Sequence, residues 1–307
     1  MSELRRHLDD YLAVRRAVGF KLDRAELLLA DFIDYLDSRG IDHVTVDAAL
    51  GWAALPPNPL SNWHTHRLSV VRGFARYLHV IDAAHQIPPT KVFPTTSQRA
   101  TPFLYSEADI AALMAAAHMF GAPLRAATLE TVIGLLAVTG VRIGEALGLD
   151  RDDIDTDGGM IHVNNSKFGK SRRVPIHAST VEALGVYARV RDRLSPRPAS
   201  PAMFVSLAGT RLLYCNFHAA WLKIVEQAGL GARSPKCRPR PHDIRHTFAV
   251  RTLLGWYRNG DDVAALMPRL STFLGHVHPA NTYWYLTATP ELLALTVERL
   301  ETIGETS

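Results

Sequence analysis

HDIRHTFAV (His242–Val250), followed by LGHVHPANTYWYL (Leu274–Leu286), is the part of this chain whose reading decides its fold and chemistry. His242 and Arg245 stand three residues apart, so on a helix they share one face. His276 comes directly after a Leu-Gly pair, and Tyr285 follows it by nine residues. Upstream, TGVRIGEALGLDRDDID (139–155) puts Arg142 just past a helix stop at Gly140. Lys167 sits in a turn, eight residues before Pro175. Taken singly these are weak signals. An Arg after a Thr-Gly turn is usually a surface residue, a turn Lys is usually solvated, and the aromatics Tyr283, Trp284 and Tyr285 suit a core. The order Arg, Lys, His-x-x-Arg, Leu-Gly-His, Tyr is far more specific than any member.

Outward from these motifs the chain reads as mainly α with a small β-hairpin. LRRHLDDYLAVRRAVG and RAELLLADFIDYLDSRG carry apolar residues at three- and four-residue spacing and end near glycines. Thr45 is a helix cap before VDAALGWAAL. HTHRLSVVRGFARYLHV alternates an apolar face (Leu68, Val71, Phe74, Leu78) with Arg67, Arg72 and Arg76. Those arginines are candidate phosphate contacts, with a solvent-facing helix side as the alternative. The proline-rich stretch QIPPTKVFPTTSQRATP reads as extended, which sets a helical domain at 1–87, a linker at 88–102 and a second domain at 103–307. In the second domain Ser106 and Asp109 form a capping-box pattern, with helices expected over 106–118, 123–139 and 178–193. MIHVNN and RRVPIH flank SKFGKS, where Gly169 supplies a hairpin turn. The chain after about residue 215 reads as helical, ending in a helix capped by Thr289, opened by Pro290 and running to about Thr302.

The balance of 47% apolar and 21% charged residues is that of an ordinary folded protein. No run approaches the roughly 18 apolar residues of a membrane helix. The N-terminal MSELRRHLDDYL places charges where a signal peptide would be apolar, so a cytoplasmic location is expected. Cys215 and Cys237 have no metal or redox spacing. The charge is segregated: of 34 Lys+Arg and 30 Asp+Glu, 16 and 4 fall between His162 and Arg251, leaving 18 and 26 elsewhere. A basic face of this kind suits a polyanion, with phosphate backbones the commonest.

On these motifs the sequence resembles the tyrosine recombinases, the family of phage integrases and Xer-type chromosome-dimer resolvases, along its whole length. The resemblance implies a helical, SAM-like core-binding domain followed by an α+β catalytic domain. It implies catalytic roles for Arg142, Lys167, His242, Arg245 and His276, with Tyr285 as nucleophile and Glu145 at the family's acidic position. Tyr283 competes with Tyr285, but the nine-residue spacing favours Tyr285. Lys170, Arg172 and Arg173 of the hairpin join Arg67, Arg72 and Arg76 as candidate DNA contacts. WYRNGDDVAALMPRLST (256–272) is longer than is usual in the family.

The chemistry needs these residue types. A phenol with an ordinary pKa near ~10 is a poor nucleophile at neutral pH. Two guanidinium groups stay charged, fork onto non-bridging phosphate oxygens and stabilise the five-coordinate phosphorane. Of His242 and His276, one assists proton removal from Tyr285 and the other bonds the phosphate; the sequence leaves the order open. Lys167 is the expected acid for the leaving 5′ oxygen. No acidic cluster suits a Mg²⁺ pair, so no metal or other cofactor is expected. The implied partners are double-stranded DNA and a homo- or hetero-tetramer of protomers on it, with no membrane. The terminal helix (Leu292, Leu293, Leu295, Val297) is expected to dock on a neighbouring protomer, the alternative being its own domain. A type IB topoisomerase-like enzyme and a non-catalytic DNA-binding accessory protein are the competing readings.

Overall fold

The computed structural model describes residues 2–55, 62–94, 100–164, 171–276, 278, 280–287 and 292–294. The chain divides into two compact units, Met1–Arg99 and Ala100–Ser307.

The first unit contains α1 (Glu3–Ala17), α2 (Asp23–Asp37), α3 (Val46–Ala54) and α4 (Trp63–Ile81). Each helix turns one apolar stripe inward: Leu4, Leu8 and Leu12 from α1, then Phe32, Ile33 and Leu36 from α2. Trp52 of α3 and Leu68, Val71, Phe74 and Leu78 of α4 close the core. Full burial of such side chains stabilises by about 1.5–3 kcal/mol each. Thr45 caps α3 as its sequence predicts, its hydroxyl accepting the Ala48 N–H at 3.2 Å.

In the second unit the order is α5 (Glu107–His118), α6 (Pro123–Thr139), α7 (Ile143–Gly148), β1 (Ile154–Asp155), β2 (Met160–Val163) and β3 (Arg172–Pro175). Then come α8 (Ala178–Leu194), α9 (Tyr214–Gln227), α10 (Pro241–Arg258), α11 (Val263–Leu274) and α12 (Ala280–Tyr283). The Ser106–Asp109 box is fully formed, with the Asp109 N–H donating to the Ser106 hydroxyl at 3.0 Å and the Ser106 N–H donating to the carboxylate at 2.8 Å. β2 and β3 pair antiparallel with Ile161 opposite Val174, both buried, and β1 adds a third strand beside β2. That third strand is too short for an alternation pattern to reveal it. The Lys167 turn lies outside the described residues.

One departure from the sequence reading stands out. Gly229–Arg240 is irregular rather than helical, because Gly229, Gly231, Pro235 and Pro239 remove helix propensity and amide donors. The long 256–272 stretch supplies the end of α10, a break capped by Asp262, and most of α11. Among the described residues no helix is long and apolar enough to cross a membrane. Of the expected terminal helix only 292–294 is described, and Leu292 is fully buried in the cluster that holds Leu253, Met267, Leu274 and Tyr285 of its own domain.

Candidate active site

The site is built on the C-terminal end of α11. Gly275 ends that helix at φ +68°, a left-handed conformation natural to glycine. The preceding carbonyls, having no partners further along the helix, each receive a guanidinium: Arg172 Nε donates to Phe273 O at 2.8 Å, Arg245 Nη2 to Leu274 O at 2.6 Å, and Arg142 Nη2 to Gly275 O at 2.9 Å. Cations complement the negative end of the helix dipole.

Each arginine is positioned by its own local structure. Gly140 ends α6 at φ +59°, and a Cβ there would come within 2.5 Å of Phe248, so glycine lets α6 close against α10. The chain then enters Arg142, the residue that caps α7. The Arg142 N–H donates to Glu145 Oε2 at 2.9 Å and its Nη1 to Oε1 at 2.7 Å. Arg172 completes a fork on the same carboxylate, Nη1 to Oε1 at 3.0 Å and Nη2 to Oε2 at 2.8 Å. Burial opposes ionisation of Glu145, but the bonds from Arg172 and Arg142 outweigh it and bring its pKa down to about 2. Arg245, in the second turn of α10, is only 2% exposed and also donates from Nη1 to Gly140 O at 2.7 Å. Burial lowers its pKa to about 10, which leaves it charged at neutral pH.

The histidines and the tyrosine gather beside these cations. His276 Nδ1 shares a hydrogen bond with the Thr282 hydroxyl at 2.7 Å, and its ring lies nearly parallel to that of Tyr285, centroids 6.0 Å apart at 24°. Burial and then the Arg245, Arg142 and Arg172 charges lower the His276 pKa to about 4. His242 has an exposed face, and crowding on its other side followed by the Arg245 charge lowers its pKa. His246 stands edge-on to both His242 and Tyr285, with centroids at 5.0 and 5.4 Å. Tyr285 is 2% exposed whereas Tyr283 is 50% exposed.

The structure therefore brings Arg142, His242, Arg245, His276 and Tyr285 into one neighbourhood, while Lys167 and Lys170 lie outside the described residues. Three of the candidate DNA contacts already have partners within the chain. Arg67 is buried, donating to Trp52 O at 3.0 Å with its guanidinium 3.6 Å from the Trp52 ring centroid, so it braces the first core. Arg72 donates to the Pro88 and Pro89 carbonyls and so ties down the start of the proline-rich stretch. Arg172 is engaged with Glu145 and Phe273, its side chain 11% exposed. Arg76 and Arg173 are exposed. Sequence reasoning missed His246 and Thr282: the contacts of His246 with Tyr285 and of Thr282 with His276 exist only once the α12 segment packs on the site, although the i, i+4 pairing of His246 with His242 is a matter of spacing.

The histidine spacing shows no three-ligand metal pattern, yet the fold does bring His43, Asp82 and His85 together, with ligand atoms within 4.8 Å of one another. Hydrogen bonds already occupy them. His43 bonds Asp42 at 2.7 Å and Asp82 at 3.2 Å. His85 Nδ1 accepts the Val44 N–H at 3.0 Å, which puts the proton of the neutral ring on Nε2 and closes that nitrogen to a metal.

Comparison with known proteins follows the same line. Residues 104–291 match the Phage integrase family. A Sinorhizobium fredii (strain NBRC 101917 / NGR234) protein named integrase/recombinase y4rB is 42% identical over 98% of each chain. Tyrosine recombinase XerD of Mycobacterium tuberculosis (strain ATCC 25618 / H37Rv) is 32% identical, covering 74% of this chain and 67% of its own. Among solved structures, the Tn1549 transposon integrase in complex with transposon right end DNA superposes with a TM-score of 0.62 at 18% identity, over 96% of this chain and 99% of that one. XerH bound to its difH substrate gives 0.59 at 18% identity, over 90% and 79%; at such identities the likeness concerns the fold. The chain belongs to the phage integrase family of tyrosine recombinases, whose activity at family level is site-specific DNA recombination.

Proposed function

We propose that this chain cuts and rejoins DNA strands at specific sites through a 3′-phosphotyrosyl intermediate on Tyr285. The observation that carries the reading is the placement of a buried tyrosine ring among Arg245, His246 and His276 at the end of α11. The Tyr285 oxygen attacks phosphorus, the bond from phosphorus to the 5′ oxygen breaks, and rejoining is the reverse. No external energy source enters, because the new phosphodiester conserves the old one. Arg142 and Arg245 stabilise the charge on the non-bridging oxygens, their side chains already ordered by backbone carbonyls. His276, neutral in the free protein and beside Tyr285, takes the phenol proton, and a bound phosphate anion raises its basicity at that moment. His242, on the first turn of α10, hydrogen-bonds the phosphate. Lys167 protonates the leaving 5′ oxygen. The substrate is double-stranded DNA, on which the chain assembles with other protomers, identical or related; no metal or other cofactor takes part.

The test uses a binding site recovered from a random-sequence duplex library by the wild-type protein, then nicked beside the cleavage position so that the covalent product is trapped. Wild type gives a protein–DNA adduct on a denaturing gel and Tyr285→Phe gives none, while Tyr283→Phe still reacts. An adduct formed by Tyr285→Phe overturns the assignment.

A further inference from the structure

Arg172 reaches the site from the sheet. It belongs to β3, and it reaches two separate pieces of the site at once: the Phe273 carbonyl at the end of α11, and both oxygens of Glu145. Glu145 in turn holds the backbone and side chain of Arg142, and Arg142 closes the circuit on the Gly275 carbonyl. The turn leading into His276 is thus fixed from two sides by one carboxylate and two guanidinium groups. Gly275 is matched to this arrangement, since a Cβ at that position would lie 2.7 Å from Arg172 Nη1. The absence of a side chain there lets the guanidinium lie directly against the turn. A lysine offers one compact point charge and cannot fork a carboxylate while also reaching a second acceptor.

We propose that Arg172 is a positioning residue for strand cleavage: it locks the Phe273–His276 turn and, through Glu145, the side chain of Arg142. The proposal rests on the functional reading above. Arg172 acts without touching phosphorus; its effect passes through the placement of Arg142 and His276. Misplacement of catalytic groups by about an ångström costs on the order of 100-fold in rate, whereas loss of one phosphate contact weakens binding and its salt dependence.

The experiment compares wild type, Arg172→Met and Arg172→Lys on the library-selected duplex, measuring intact-duplex binding by anisotropy and single-turnover adduct formation on the nicked form. Expected for Arg172→Met is adduct formation slowed about 100-fold with duplex affinity and its salt slope close to wild type. Arg172→Lys keeps the charge opposite Glu145 but not the fork, so it folds and still cleaves well below wild type. The pH profile separates positioning from general loosening. In Arg172→Met the removal of a cation near His276 shifts the acid limb of the cleavage rate to higher pH, and in Arg172→Lys it stays. Should Arg172→Met fail to fold, Arg172→Lys decides by the same rates. Wild-type cleavage by the lysine variant, or a binding loss as large as the rate loss, overturns the proposal. A Tyr285→Phe control run alongside separates this outcome from failure of the phosphotyrosyl reading, which an adduct in that variant alone would signal.

Discussion

His276 and Tyr285 lie ring beside ring, centroids 6.0 Å apart and planes 24° from parallel, and burial with three nearby arginines holds His276 at a pKa of about 4. The imidazole is therefore neutral at physiological pH and open to a proton. This predicts that in the DNA-free protein the His276 imidazole stays neutral as pH falls through 6.5, the ordinary imidazole range, and takes up a proton only nearer the lowered pKa. The check is an NMR titration of the His276 ring in the DNA-free protein from pH 4.5 to 8, its signal assigned with a His276→Gln variant. A midpoint at pH 6.5 or above would remove His276 as an acceptor that is neutral before DNA binds.

Arg142 and Arg245 differ in how deeply the fold uses them, and their alanine variants should differ accordingly. Each should slow adduct formation by about two to four orders of magnitude through lost charge stabilisation. Arg245, at 2% exposure, also satisfies the Gly140 and Leu274 carbonyls, so Arg245→Ala should lower the unfolding midpoint in urea as well. Arg142 is the more open of the two, with a side chain 26% exposed, and its replacement should cost less stability. Equal loss of stability in the two variants would contradict this ordering.

Much of this was legible in the chain itself, and the parts that were not have physical reasons. The helices of both units follow from apolar spacing and capping residues such as Thr45 and Ser106, because those signals are local. The Arg142, His-x-x-Arg and Leu-Gly-His motifs were visible, since chemistry limits the residue types and the glycine stops and i, i+3 spacing around them are local. What the sequence misjudged was which arginines face out. Arg67 stands four residues before Val71, inside the apolar stripe that Val71, Phe74 and Leu78 continue, whereas Arg76 lies on the opposite side of α4; helical periodicity separates the two, but grouping the arginines as one face passes over it, and the Trp52 ring that receives Arg67 comes from α3. The partnership of Arg172 with Phe273 likewise spans about a hundred residues of chain and exists only once β3 and α11 meet.

That distinction predicts opposite phenotypes for two arginines of α4. Arg67→Ala removes the bond to Trp52 O and the stacking on the indole, and should destabilise the first unit by about 1–3 kcal/mol. Arg76→Ala should leave stability unchanged; if Arg76 meets a phosphate, the slope of log binding constant against log salt falls by about one. Chemical denaturation of the full chain and salt titrations of duplex binding measure the two effects. A reversed pattern, with Arg76 governing stability and Arg67 the salt slope, would refute the bracing role that burial gives Arg67.

Glu145 supplies the last prediction, which concerns acid. Its pKa is about 2 in the folded protein against an ordinary 4.5, because Arg172 and Arg142 bind its charged form more strongly than burial disfavours it. In the unfolded chain the carboxyl takes up a proton near 4.5, whereas the native state resists until about 2. The native state is thus favoured in full above pH 4.5, and that advantage drains away as pH falls from there toward 2. The gap corresponds to about 3 kcal/mol at neutral pH. Glu145→Gln has no carboxyl to titrate, so it should be less stable than wild type at pH 7, and the difference should narrow steadily between pH 4.5 and 3. Urea denaturation of both proteins at several pH values across that window measures it. If the two stabilities fall in parallel, the arginine–carboxylate fork does not contribute as its geometry indicates, and the anchoring of Arg142 and Arg172 would have to come from the α11 carbonyls alone.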